Sequence, residues 1–488
     1  MRVHVRSGTR GALVLVGHAI VGFACGNGGT AATDDAAAPA SDDAGPPRPD
    51  GAVLPQPNDA APPLVDATSP GDAATDGGSL PPQVLFPRTG ITPAELGVIV
   101  NDNDPLSVAV ATYYLSARKI PTANLVHVQI ADPNASAIPQ AQFAPLKAQI
   151  DAAFLGTPVQ ALVLTWTKPY AVDNMSITSA FAMGYRAIGD TCNDPNSKYL
   201  AVNPYESRRS STRPFTDLAF RPTMTLPATT LAEARALIDR GVASDNTWPM
   251  GGAYLMNTSD QTRSARCIVN ASFGWTNECQ ALLNTWDSAG SGIDASIVAA
   301  DAITNKTDVL FYVQGLASVP DIATNTYLPG AVADHLTSYG GQIPTSGQMS
   351  AFAFLAGGAT GSYGTVVEPC AFQQKFPNPA VLLPGYFGGA TLIEAYWKSV
   401  LWPAEGIFIG EPLARPYGSG FRSHFLSGTL TIETTAMVPG AAYLVEGGDS
   451  EAGPFSTVLD NLTVAKYRKS TFVIPQANRK FYRFRPGP

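Results

Sequence analysis

Charged residues are scarce in this chain: among its 488 residues only 14% are Asp, Glu, Lys or Arg, and the formal net charge is −8. No stretch of Lys and Arg forms a basic stripe, so nucleic acid is excluded as an expected partner. The chain also lacks a phosphate-binding Gly-rich loop with Lys, a His-Glu-x-x-His motif and a Cys-x-x-Cys motif, which leaves nucleotide and zinc chemistry without support. Its hydrophobic content of 45% is ample for a core, and its length allows one large domain or two to three ordinary ones.

The first 24 residues are typical of an export signal peptide. Arginines within the first ten positions supply positive charge, and the apolar run 12–24 is too short to cross a bilayer as a finished helix. The run leads into Cys25, in a context that indicates a degenerate lipobox, where bacterial lipoproteins are cleaved and lipidated. Phe23 is unusual two residues before such a cysteine, so cleavage without lipidation remains open. We expect an exported protein, lipid-anchored at the cell envelope or else periplasmic or extracellular.

Residues 25–83 contain no aromatic side chain and are rich in Ala, Asp, Pro and Gly, with nine Asp against one Arg. Such a segment cannot bury enough apolar surface to offset the entropy lost on ordering. We therefore expect a disordered tether, and the acidic balance of the chain belongs to this tether rather than to the folded part.

Four cysteines remain when Cys25 is set aside, and an exported protein meets an oxidising compartment that permits disulfides. Cys267 and Cys279 lie close in sequence and are the favoured pair. Cys192 and Cys370 are the second candidate pair, although the sequence alone does not fix the pairing.

Residues 84–424 alternate between strand and helix patterns. A buried strand is predicted at 96–100, followed by a helix at 106–118 that Asp104 can cap with Pro105 in its first position, and by a strand at 125–130. This βαβ unit implies a parallel sheet with a right-handed crossover. We therefore predict a three-layer α/β domain with a mostly parallel sheet.

Three details of this domain matter for the site. His127, in the middle of the predicted strand 125–130, is expected to be packed. A strong buried strand is predicted at 308–313. Small residues predict helices over 330–336 and 348–355. The remaining residues, 425–488, alternate at period two between Gly, Pro and Asn turns, which predicts a small antiparallel, β-sandwich-like appendage with a structural or adhesive role.

The stretches 98–121, 328–341 and 358–416 resemble, in this order, an uncharacterised bacterial family found in genomes that also encode exosortase-type surface-sorting systems. The last stretch closes with Gly410-Glu-Pro-Leu-Ala-Arg-Pro416. The resemblance implies a fold and a cell-surface context, and it implies no reaction.

Residues 231–238, 358–365 and 394–412 contain shorter stretches that are similar to gingipain-like cysteine peptidases, which have a caspase-like α/β fold. Those peptidases use a His-Gly after one core strand and a Cys after the next. Here Gln314-Gly315 stands at the first position, and no cysteine lies between Cys279 and Cys370. The resemblance therefore implies a caspase/gingipain-like fold in a catalytically degenerate, binding-only relative.

Cys370 and His335 are the best nucleophile and base that the sequence offers, with Asp334 or Glu368 assisting. A thiolate needs a nearby base or positive field at neutral pH, and His335 is expected to face a cleft from the start of a helix. The simpler alternative is a disulfide-bonded or buried Cys370 and a surface His335.

A small-residue crevice is expected around this segment, and the residues expected to line it are Gln314, Gly330, Ser362 and Tyr363. Ser362 nearly matches a Gly-x-Ser-x-Gly nucleophile elbow, although a tight strand start is the simpler interpretation. Asp102 and Asp104 supply hard oxygen ligands two residues apart, so calcium is a candidate ligand there; no other cofactor is expected.

We therefore predict an exported, lipid-anchored envelope protein whose peptidase-like α/β domain binds an envelope protein or a polysaccharide without catalysis. Its contact with the membrane is expected through the N-terminal lipid alone. The alternative is a cysteine-dependent hydrolase or transpeptidase that uses Cys370 and His335.

Overall fold

A computed structural model of the chain describes residues 81–189, 192 and 202–487. The expected export signal (1–24), the lipidation residue Cys25 and nearly all of the expected tether (25–83) lie outside the described residues. Among the helices of the described part, none is both long enough and apolar enough to cross a membrane.

The strands of the described part are, in chain order, β1 (Gln83–Leu85), β2 (Leu96–Asn101), β3 (Leu125–Val128), β4 (Ala137–Ile138), β5 (Ala161–Leu164), β6 (Ala171–Val172), β7 (Met175–Ser176), β8 (Thr223–Thr225), β9 (Gly251–Met256), β10 (Ile293–Val298), β11 (Val309–Gln314), β12 (Tyr327–His335), β13 (Gly361–Thr365), β14 (Gly406–Gly410), β15 (Phe421–Leu426), β16 (Thr429–Thr434), β17 (Tyr443–Gly448), β18 (Phe455–Leu462), β19 (Ser470–Ile474) and β20 (Phe481–Pro486). The α-helices are α1 (Pro105–Arg118), α2 (Gln140–Ala153), α3 (Ile177–Met183), α4 (Pro214–Leu218), α5 (Leu231–Ser244), α6 (Glu278–Thr285), α7 (Ser288–Ser291), α8 (Phe352–Ala356), α9 (Pro379–Phe387) and α10 (Leu392–Lys398).

Ten of these strands form one central sheet, in the order β10-β9-β11-β12-β13-β14-β8-β5-β2-β3. Neighbouring strands from β10 to β13 are parallel, and so are β8, β5, β2 and β3. β14 is antiparallel to β13 and meets β8 at a single pair, Ile409 with Thr225. The prediction of an α/β fold with a large, mostly parallel sheet is therefore confirmed.

The predicted βαβ unit is present as β2, α1 and β3, with β2 and β3 in parallel register. The side chain of Asp104 accepts a hydrogen bond from the backbone N–H of Leu106 at 2.9 Å, and Pro105 occupies the first helical position. Lys119 takes a left-handed conformation and ends the helix. Local sequence therefore fixes both ends of α1.

The predicted small-residue helix over 330–336 is wrong, because these residues belong to β12, which pairs with β11. Ala331 and Ala333 lie in an apolar cluster with Phe354 of α8, so their small side chains allow close packing on that face. A strand buried on both faces shows no alternation of polar and apolar residues, so its pattern does not distinguish it from a helix.

The C-terminal module pairs a sheet of order β1-β20-β17-β18 with a sheet of order β15-β16-β19. Side chains of both sheets share an apolar core that includes Phe421, Ile432, Val445 and Phe484. The module draws on strands outside the predicted range 425–488, since β15 begins at Phe421 and β1 pairs with β20. The described residues of the α/β domain and of the module belong to one unit, so the module is not a separate body.

Candidate functional site

Two of the predicted catalytic residues, Asp334 and His335, end β12 beside Gln314, the last residue of β11. Asp334 is 1% exposed, and its carboxylate is paired with the buried guanidinium of Arg266. Burial raises the pKa of Asp334, and Arg266 opposes that rise. Arg266 also donates to the carbonyl oxygen of Gln314 at 2.7 Å. Asp334 therefore belongs to a buried structural ion pair.

His335 is fully buried rather than placed on a surface or at a helix start. Its Nδ1 lies 3.0 Å from the carbonyl oxygen of Leu316, and its ring packs edge-on against Phe354 at 5.5 Å. Burial lowers the pKa of His335 to about 4, so the ring is neutral near neutral pH. A neutral imidazole without solvent contact has no path to a substrate, so His335 is not placed to act as a general base.

Cys370 forms a disulfide with Cys192, which is the second of the two predicted pairings. Its backbone N–H donates to the carboxylate of Glu368 at 2.9 Å. Sulfur and carboxylate oxygen atoms of these three residues lie within 4.8 Å of one another, but both sulfurs are in the disulfide. No thiol is left on Cys370, so the predicted nucleophile is absent in this form of the protein. The favoured pair, Cys267 and Cys279, is also a disulfide.

The expected crevice residues do not line an opening. Gln314, Gly330, Ser362 and Tyr363 are all buried. The amide nitrogen of Gln314 donates to the carbonyl oxygen of Asp301 at 2.7 Å, and the Tyr363 hydroxyl donates to the carbonyl oxygen of Lys375 at 2.5 Å. These side chains hold strands and loops together, so the crevice expected from small residues is filled by packing.

An open cleft of about 450 Å³ lies instead where other parallel strands end. From β2 the chain passes to β3 on one side, whereas β5 lies on the other side, so the strand order reverses at β2. Ligands of open α/β sheets bind outside the carboxyl ends of strands at such a point. The cleft is lined by Asn103, Asp104, Pro105, Leu106, Pro133, Asn134, Thr167, Lys168, Ala228, Thr229 and Pro344. We call it the carboxyl-edge cleft.

Hydrogen bonds between loops fix the walls of the carboxyl-edge cleft. The Thr167 hydroxyl donates to the carbonyl oxygen of Ala228 at 2.6 Å and accepts from the Ala228 N–H at 2.9 Å. The amide nitrogen of Asn103 donates to the carbonyl oxygen of Ile130 at 3.0 Å. Lys168 and Asp104 supply one charge of each sign, so the cleft suits a polar ligand rather than an apolar one.

His127 is exposed on β3, contrary to the expectation that it is packed. Its Nδ1 lies 2.7 Å from a carboxylate oxygen of Asp102, and its side chain is 56% exposed. Val126 and Val128 on either side of it are buried. This alternation is the signal that places His127 on the outer face, and the sequence interpretation missed it.

The carboxylates of Asp102 and Asp104 each have a partner within the protein, so neither requires a bound ion. Asp102 pairs with His127, and Asp104 caps α1. Within the described residues, one group of three or more His, Cys, Asp or Glu side chains lies close enough to hold an ion together, namely Cys192, Glu368 and Cys370. Calcium at Asp102 and Asp104 stays a prediction.

A second polar cluster, absent from the sequence interpretation, lies at the end of α1. Arg118 is paired with Glu411 and with Asp245, and the Tyr114 hydroxyl donates to Glu411 at 2.5 Å. Arg118, Asp245 and Arg415 border a cleft of about 290 Å³. The cluster joins the sequence stretches 98–121 and 410–416, whose separation along the chain hid it. We assign it a structural role because the ions neutralise one another.

No protein-family model matches the chain, and no curated protein matches it. A solved structure named "Structure of Protease" is similar with a TM-score of 0.36 and 8% sequence identity, covering 82% of this chain and 98% of that chain. This likeness is too weak to carry an argument about function, which therefore depends on the residues described above.

Proposed function

We propose that this is an exported, envelope-anchored protein whose α/β domain binds a polar ligand and does not catalyse a reaction. The observation that carries the proposal is the disulfide between Cys192 and Cys370 together with the complete burial of His335. A cysteine hydrolase needs a free thiolate and a base that can reach the substrate. The predicted pair meets neither condition.

The strand ends support a degenerate caspase/gingipain-like frame. Gln314 ends β11 and His335 ends β12, directly opposite it in the parallel register. In the resembling peptidases a histidine and a cysteine follow two successive core strands. Gln314 and His335 instead bond to neighbouring backbone, and no cysteine lies between Cys279 and Cys370, which supports a frame without the dyad.

We assign the ligand to the carboxyl-edge cleft. Its lining offers a cation at Lys168, a carboxylate at Asp104 and neutral polar groups at Asn134 and Thr229. This mixture suits a chain that carries both donors and acceptors, such as an envelope polysaccharide or a segment of an envelope protein.

The first experiment is labelling of the mature protein with an electrophilic thiol probe, with and without reductant. We expect no labelling of Cys370 without reductant, because its sulfur is bonded to Cys192. The Cys192→Ser variant frees Cys370 and serves as the positive control. Rapid single-site labelling of Cys370 in the untreated parent protein would overturn the proposal in favour of the cysteine enzyme.

The second experiment tests the carboxyl-edge cleft by isothermal titration with polysaccharide isolated from bacterial envelopes and, separately, with an envelope protein fraction. Lys168→Glu reverses the cation of the cleft and should weaken binding. Lys466→Glu makes the same change at an exposed residue of the C-terminal module and should bind as the parent does. Equal binding by both variants, or none by the parent, contradicts the assignment of the cleft.

A further inference from the structure

The loop 268–277, which we call the hairpin loop, is held rigid from both ends. The disulfide between Cys267 and Cys279 closes its base. Asn270 and Trp275 exchange backbone hydrogen bonds across it, and the Phe273 N–H donates to the carbonyl oxygen of Asn270 at 3.2 Å. A loop fixed in this way loses little conformational entropy when it binds a partner.

An aromatic platform stands at the tip of the hairpin loop. The rings of Phe273 and Trp275 are stacked, with centroids 4.8 Å apart and planes 19° apart. Trp275 is only 3% exposed, and its Nε1 donates to the carbonyl oxygen of Ala371 at 2.8 Å. Phe273 is 56% exposed. Because Trp275 covers one face of the Phe273 ring, the exposed part is the opposite face.

The hairpin loop carries no charge, and besides its polar side chains it exposes Val269 (73% exposed). None of the residues 268–277 is Asp, Glu, Lys, Arg or His. Asn270 and Asn277 use their amide oxygens to accept backbone hydrogen bonds from Ser272 and Gln280. Within the described part of the chain, no acceptor is recorded for the amide N–H groups of either asparagine, so these donors remain for a ligand.

We infer that the hairpin loop is a binding site for a neutral saccharide, separate from the carboxyl-edge cleft. One face of a pyranose ring consists of C–H groups, which pack on the open face of an aromatic ring. The hydroxyl groups at the edge of the sugar then meet the amides of Asn270 and Asn277. A loop without charged side chains fits an uncharged ligand, because no ion of the loop has to be desolvated on binding.

A membrane surface fits the hairpin loop less well. Loops that settle on anionic lipid combine apolar tips with Lys and Arg, and this loop has neither cation. The test must nevertheless distinguish binding to lipid vesicles from binding to a saccharide.

The test is titration of the full-length protein with neutral hexasaccharides of glucose, mannose and N-acetylglucosamine, followed by intrinsic tryptophan fluorescence and by calorimetry. We expect binding of at least one sugar, and a loss of about tenfold in affinity in Phe273→Ala. Leu155→Ala removes an apolar side chain that is still more exposed (80%) elsewhere, and it should bind as the parent does. Lys466→Glu, at an exposed residue of the C-terminal module, should also leave this binding unchanged.

Three results would overturn the inference. The first is the absence of sugar binding by the folded parent protein. The second is equal affinity in Phe273→Ala and the parent. The third is binding of the parent to anionic phosphatidylglycerol vesicles, or its self-association in sedimentation, that is lost in Phe273→Ala while no sugar binds. Because Phe273 is exposed, its variant should keep the thermal stability of the parent, and circular dichroism checks this.

Discussion

The guanidinium of Arg118 and the carboxylate of Glu411 form a buried pair although 293 residues separate them in sequence. Their side chains are 5% and 0% exposed, and the Nε of Arg118 donates to Glu411 at 3.0 Å. Burial alone would lower the pKa of Arg118, but Glu411 raises it above its ordinary value. The pair fastens the end of α1 to the segment that follows β14.

The first prediction concerns this pair. Arg118→Met leaves Glu411 buried without its counter-ion and should lower the free energy of unfolding by about 3–5 kcal/mol. The double variant Arg118→Met/Glu411→Leu should lose less than Arg118→Met, because no fully buried charge remains at position 411 and Asp245 is 39% exposed. Urea unfolding measures both, with Arg235→Met as the control at an exposed arginine. Additive losses in the double variant would contradict the coupling.

The second prediction separates a structural from a catalytic role for Asp334. Arg266→Met should destabilise the fold by about 3–5 kcal/mol at neutral pH, because it leaves the carboxylate of Asp334 buried alone. Burial raises the pKa of Asp334, so the folded state takes up a proton more readily than the unfolded state. The deficit should therefore shrink as the pH falls, and Asp334→Asn in the same background should reduce it, leaving the loss of the hydrogen bond from Arg266 to Gln314. A deficit that stays constant with pH would argue against this origin.

The third prediction follows from the burial of His335. Its pKa lies at about 4 in the folded protein against 6.5 in the free side chain. Between these two pH values the imidazole is protonated in the unfolded state and neutral in the folded state. The contribution of His335 to the free energy of unfolding is fully present above pH 6.5. It should fall by about 3 kcal/mol as the pH drops toward 4. Arg263 and Arg266 nearby also disfavour the charged ring.

Thermal unfolding across this pH range checks the third prediction. His335→Asn keeps a side-chain donor for the carbonyl oxygen of Leu316 and should flatten the pH dependence. His424→Asn, at a histidine with a 67% exposed side chain, should leave it unchanged. A slope that survives in His335→Asn would assign the pH dependence to other groups.

The fourth prediction tests whether Asp104 is a cap or a metal ligand. As a cap it stabilises α1, so Asp104→Ala should cost about 1 kcal/mol and Asp104→Asn much less. Asp460→Ala, at an exposed strand residue, is the control. If the cap is its full role, added calcium should not shift the melting temperature of the parent. A calcium-dependent rise that is lost in Asp102→Asn would instead confirm the predicted calcium site.

Local patterns predicted the elements whose signals are complete within a few residues. The cap at Asp104, with Pro105 in the first helical position, predicted α1. The short separation of Cys267 and Cys279 predicted their pairing. The prediction of a helix at β12 was wrong because both faces of this strand are buried, so its sequence shows no alternation. The prediction that His127 is packed was wrong because the alternation Val126, His127, Val128 places the histidine on the outer face of β3.

The candidate site could not be predicted from the same signals, because strand order decides which loops meet. His335 ends β12 and Asp104 follows β2 in the same central sheet, yet β13, β14, β8 and β5 lie between these two strands. Five spacings of about 4.8 Å place these two strands roughly 24 Å apart. Ionisable residues at the ends of different strands therefore lie in separate regions of the structure and cannot form one site.

From the sequence by itself came the α/β pattern of the folded part and the small number of side chains that could act as nucleophile or base near neutral pH. The export signal and the tether are expectations from the sequence. Only the tertiary structure decided the rest. It bonded Cys370 to Cys192, buried His335, brought Arg118 to Glu411 and left open a cleft at Asp104 and Lys168. The reason is physical: propensities and caps act over a few residues, whereas burial and contact depend on which distant segments the sheet brings together.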